Sequence, residues 1–133
     1  MSTIKKLVFT LFFISEFIIF SNQLKAQVPD EIIQSLKSGD SKKFSAYFNQ
    51  NIDMAVLEND NVYSKAQAEQ IVSKFFSSNT PENFNILHQG GKEGAQYVIG
   101  NLVTSNGDFR VYFLLKKNAG KDYIHQLRIE AAQ

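Results

Sequence analysis

The chain has no cysteine, two arginines (Arg110 and Arg128) and two histidines (His88 and His125) in 133 residues. The missing cysteines exclude disulfides, thiolate nucleophiles, cysteine-ligated zinc and iron–sulfur clusters. They also leave no thiol to carry a lipid anchor. With 14 basic against 13 acidic residues, the chain lacks the basic stripe that neutralises a row of phosphates, so nucleic acid is not an expected partner. The pairs Lys42-Lys43 and Lys116-Lys117 read as solvated surface. Repeats and low-complexity linkers are also absent, which points to one domain.

What is present begins with a leader. Lys5 and Lys6 precede an apolar run from Leu7 to Phe20, and the more polar stretch after it ends on the small residue Ala26. That order fits a signal peptide over 1–26, too short to span a bilayer comfortably as a mature helix. Cleavage near Ala26 predicts a soluble exported protein, periplasmic or secreted, that meets the membrane only during export. The single domain is then 27–133. Three lysines and one glutamate fall in the leader, so the domain keeps eleven basic and twelve acidic side chains. Without disulfides it must rely on its packed core.

Pro29 with Asp30 and Glu31 signals a helix start, Ile32, Ile33 and Leu36 share one helical face, and Gly39 is a stop. Asp40 or Ser41 can cap a second short helix carrying Phe44, Tyr47 and Phe48, which Asn49 to Asn51 break. Ile52, Met54 and Val56 alternate as in a strand, followed by the polar turn Glu58–Asn61 and a short return at Val62-Tyr63. Ser64-Lys65-Ala66-Gln67 fits a capping box that opens a helix with Ala68, Ile71, Val72, Phe75 and Phe76 on one stripe.

The remainder predicts strands. Phe84, Ile86 and His88 alternate; Gln96–Thr104 follows with Gly100 as a bulge; Asn106-Gly107 marks a hairpin. Phe109, Val111, Phe113 and Leu115 share the apolar face of the next strand. After the Asn118–Lys121 turn, His125, Leu127 and Ile129 should point inward, with Ile124, Gln126, Arg128 and Glu130 outward.

Helices first and an antiparallel meander last give an α+β domain, with N-terminal helices packed on a curved antiparallel sheet. The element order over Pro29–Glu130 resembles the cone-shaped fold of nuclear transport factor 2 and ketosteroid isomerase. More narrowly it resembles uncharacterised exported bacterial proteins of that superfamily, through Gly39-Asp40, Tyr47-Phe48, Tyr63-Ser64-Lys65, Phe75-Phe76, Ile99–Leu102 and Gln126–Ile129. None of these segments is a catalytic signature, and one fold hosts many functions.

The resemblance implies a pocket between helices and sheet. An isomerase needs a carboxylate base inside it, but Asp53 alternates with Ile52 and Met54 and so points away from the apolar face. Candidate pocket residues are Tyr47, Tyr63, His88, Tyr97 and His125. Two histidines without a third ligand do not make a metal site, and no cofactor is expected. Arg110, Tyr112 and Leu114 lie opposite the Phe109 face, where this superfamily often dimerises, and are candidate homodimer contacts. The primary expectation is a non-enzymatic domain binding a small apolar ligand in its cone or a protein partner on its sheet. The alternatives are an isomerase- or dehydratase-like enzyme using a pocket histidine with a tyrosine donor, and a structural homodimer with a filled cone.

Overall fold

A computed structural model describes residues 27–92 and 94–133. The expected leader therefore lies outside the described residues. Helix α1 spans Asp30–Ser38 and buries Ile32, Ile33, Ser35 and Leu36. Its first turn holds Asp30 and Glu31 and its last holds Lys37, each sign opposing the helix dipole. Gly39 ends it in the left-handed region at φ 69°, and the Asp40 N–H reaches back to the Ser35 carbonyl at 3.0 Å. Glycine is required there twice over, since a Cβ would also sit 2.8 Å from Pro81 Cδ.

Helix α2 (Ser41–Ser45) is capped by Asp40, whose Oδ1 accepts from the Lys43 N–H at 3.0 Å. It stops earlier than the aromatic spacing suggests. Phe48 already opens strand β1 (Phe48–Val56), which runs through Asn49–Asn51. Those polar residues sit where the register against the neighbouring strand slips, so they widen the strand instead of ending it. Strand β2 (Asn59–Ser64) pairs antiparallel with β1. Helix α3 (Lys65–Ser78) follows without a loop, and the capping box is complete: the Ser64 Oγ accepts from Gln67 N–H, and the Gln67 side chain accepts from Ser64 N–H.

Strands β3 (Pro81–Lys92), β4 (Ala95–Thr104), β5 (Gly107–Asn118) and β6 (Lys121–Ala131) form the antiparallel meander. The full sheet runs β2-β1-β6-β5-β4-β3, curved and unclosed. One pairing departs from the antiparallel expectation: β1 and β6, one strand in from the β2 edge, lie parallel. The helices cover one face, and the core between the layers is aromatic. Phe44 meets Phe48 edge-on at 5.2 Å, and Phe75 meets Phe109 edge-on at 5.0 Å.

Three details correct the strand readings. Gly100 is not itself a bulge. It pairs regularly with Ile86 and Val111, and the extra residue, Leu87, sits on the facing strand. Gly100 is glycine because the buried Phe84 ring lies on it; a Cβ would come 2.2 Å from Phe84 Cζ. A second bulge, at His125 opposite Leu114-Leu115, makes both Ile124 and Leu127 inward-facing and fully buried. Ile124 was expected outside, and the pattern recovers its phase at Leu127. Likewise His88, read as sharing the face of Phe84, is turned from it by the bulge; Ile86 keeps the phase of Phe84 but is exposed.

Candidate functional site

The direct passage from β2 into α3 at Ser64 turns the chain back on itself. The helix returns beside the β1–β2 hairpin, and the two diverge from that point to leave an open cleft of about 520 Å³. Its apolar floor and sides are Val56, Leu57, Tyr63, Ile71 and Phe75. Gln67, Gln70, Lys74, Asn59, Ser78 and Asn79 supply the polar margin, and Lys74 is the one charged group of the lining. That size and a lining split between apolar and polar side chains, with one cation, suit a small ligand with an apolar body and an anionic head.

Leu57 is unusual in this lining. It occupies a two-residue hairpin turn with φ 53°, a conformation that Asn or Gly enters at lower cost. Its N–H is held by the Ile129 carbonyl at 3.1 Å, and its side chain remains 52% exposed at the cleft edge. An apolar side chain is thus kept at the rim in a strained backbone. Asn79 closes the far end. As the C-cap of α3 it is buried, with both its N–H and its Nδ2 donating to the Phe75 carbonyl.

Of the five candidate pocket residues, only Tyr63 lines this cleft. Tyr47 sits between α2 and β1 and donates its hydroxyl to Glu31 Oε2 at 2.7 Å. That carboxylate, with burial adding to it, pushes the phenol up to about 12. His88 and Tyr97 pair with one another, Nε2 to hydroxyl at 2.7 Å, on the sheet face away from the helices. His125 is half-buried at the β6 bulge; its Nε2 is enclosed without a hydrogen-bond partner. Burial, and then the charge of Lys116, lowers its pKa.

The two histidines do not converge. β4 and β5 lie between their strands, a gap of roughly 14 Å at ordinary strand spacing. Among the described residues no group of three or more His, Asp or Glu could hold a metal ion. Asp53 alternates with the fully buried Ile52 and Met54 and points from the core, as the pleat requires.

Arg110, Tyr112 and Leu114 do share one face of β5. Cross-strand, Tyr112 faces Ile99 and Arg128, and Leu114 faces Tyr97 and Gln126. Tyr97, Ile99, Tyr112 and Leu114 are half-buried, in a row across the outer sheet face.

Residues 29–130 match the model of a family described as a domain of unknown function, DUF4783. This chain belongs to the DUF4783 family. A DUF4783 protein of Bacteroides ovatus is similar at 32% identity and TM-score 0.77, over 82% of this chain and 99% of that one. Another from Bacteroides uniformis shows 34% identity and TM-score 0.76, over 80% and 99%. More remotely, a nuclear-transport-factor-2-like protein of unknown function from Cytophaga hutchinsonii shares the fold at 12% identity and TM-score 0.54, over 80% and 92%. No curated protein matches the chain. The expected cone-shaped architecture is therefore shown, and it belongs to a family without an assigned activity.

The sequence reading did not single out Leu57, Gln67, Gln70, Lys74 or Asn79 for this site. Leu57 carried a signal: an apolar side chain directly before four polar residues, where a turn favours glycine or asparagine. The glutamines and Lys74 look like the solvated flank of an amphipathic helix until the hairpin is placed beside them.

Proposed function

We propose that this is an exported, non-catalytic binding domain whose cleft between α3 and the β1–β2 hairpin takes a small amphipathic ligand with an anionic head. The observation that carries the reading is the cleft itself: it gathers Val56, Leu57, Tyr63, Ile71 and Phe75, with Lys74 as its only lining charge. Export rests on the leader pattern of residues 1–26. The enzyme alternative required a histidine beside a tyrosine donor in a pocket; the cleft holds Tyr63 and neither histidine. The test is native mass spectrometry of the protein from its own host, followed by titration with decanoate. A bound small molecule, displaced by decanoate and bound more weakly by Lys74→Glu, supports the reading. An empty protein that also ignores decanoate overturns it.

A second reading, a protein partner or second copy on the outer sheet face, is favoured by the half-buried row of Tyr112, Leu114, Tyr97 and Ile99. It predicts association by light scattering that Leu114→Lys abolishes; a wild-type monomer removes it.

A further inference from the structure

We propose that strand β3 is a self-complementary edge, on which two copies of this chain pair antiparallel about Leu87. Among the described residues, β3 is terminal in the sheet order and has a strand partner on one side only. Edge strands usually defend themselves by shortness or by charge near their middle. The opposite edge, β2, follows that rule with six residues including Asp60. β3 does not: it runs for twelve residues, and no Asp, Glu, Lys or Arg stands between Glu82 and Lys92. In its middle, Ile86 and Leu87 are 41% and 59% exposed.

The register identifies a second copy as the occupant. In an antiparallel pair centred on Leu87, Asn83 faces Gly91 of the other copy, and Glu82, the extra residue of a further bulge against β4, comes beside Lys92 of that copy; by symmetry this happens at both ends. A two-fold pairing thus matches opposite charges, and like charges directly opposite would be destabilising. The same register sets Phe84 against Gly90. Helix α1 packs on β3 at its N-terminal half, where Gly39 meets Pro81, so that half is the crowded one. It would be met by the half that carries Gly90 and Gly91, two positions without side chains to collide.

The bulge at Leu87 would deter a strand running straight past it, since bulges twist an edge away. At a two-fold centre the break falls on both strands together, so the segments on either side keep their own registers. Ile86 and Leu87 from both copies then cover one another, and the two sheets become one of twelve strands. A strand pair alone buries less than a stable dimer interface, so the association is weak and concentration-dependent.

The test exploits the absence of cysteine, and uses variants produced in the native host. Leu87→Cys should form a disulfide-linked dimer roughly tenfold faster than Leu57→Cys, a comparably exposed control, because pairing raises the local thiol concentration. Leu114→Cys reports the sheet-face association separately. In sedimentation velocity, Glu82→Lys and Lys92→Glu should each weaken self-association roughly fivefold, and the double variant should restore it. Equal cross-linking at positions 87 and 57, faster cross-linking at 114 than at 87, or a double reversal that fails to recover association would each overturn the proposal. The charge-reversal readouts do not depend on whether the cleft binds decanoate.

Discussion

Leu57 offers a prediction whose sign, not only its size, is informative. At an ordinary exposed position an alanine is more stable than a glycine by about 0.4–1 kcal/mol, because glycine gains more freedom in the unfolded chain. Leu57 stands at φ 53°, where a side chain with a Cβ costs about 1–2 kcal/mol and glycine costs little. The two effects oppose one another, and the strain is the larger. Leu57→Gly should therefore be more stable than Leu57→Ala by about 0.5–1 kcal/mol, the reverse of the usual order. Both variants lose the same half-exposed apolar side chain, so that contribution cancels in the comparison. Urea unfolding of the two, with equal slopes and different midpoints, measures the difference directly. An alanine variant more stable than the glycine variant would refute the backbone argument. The ligand reading adds a second expectation: both variants should bind decanoate more weakly than wild type, although they differ in stability. A leucine retained at backbone cost is explained if the rim needs its side chain.

Other outcomes follow from the packing and the titrating groups. Gly100→Ala forces a Cβ against the buried Phe84 ring and the Asn85 carbonyl, and should destabilise by about 1–3 kcal/mol in denaturant; Phe84→Leu on that background should recover part of the loss. Tyr47 should ionise near pH 12 in an ultraviolet titration, and Tyr47→Phe should remove that step. Its raised pKa stabilises the fold fully below pH 10, and that contribution declines between about 10 and 12; Tyr47→Phe should remove this alkaline decline. His125 works in the opposite direction. Its neutral ring is favoured in the native protein, so the unfolded chain takes up the proton first and stability falls as pH drops through 6.5. His125→Gln should flatten that acid-side slope in unfolding measured across pH.

Much of the fold was legible because its signals are local. Asp40, Gly39 and the Ser64–Gln67 box act within a few residues of where they stand, and each helix end they mark is where the chain turns. The strands were legible as strands, but their faces were not everywhere. A period-two reading assumes an unbroken ladder. Leu87 and His125 each add one residue to that ladder, which moved His88 and Ile124 from their expected sides. The parallel β1–β6 pairing joins residues some seventy positions apart, and no local pattern announces it. For the site, Tyr63 was legible as an amphipathic side chain. Its cleft depends on how α3 lies against a hairpin, which is a property of tertiary placement.

That parallel pairing also constrains the order in which the chain can fold. β1 joins the rest of the sheet through β6, which follows β3, β4 and β5 in the chain. Until the C-terminal segment is available, the β1–β2 hairpin has no sheet to dock on, and Met54 and Val56 lack the neighbours Leu127 and Ile129 beside which they pack. The β1–β6 pairing must therefore wait until β6 has been made, because it joins segments far apart in the chain. Loss of the final eleven-residue strand would remove the join between the two halves of the molecule, not a peripheral tail.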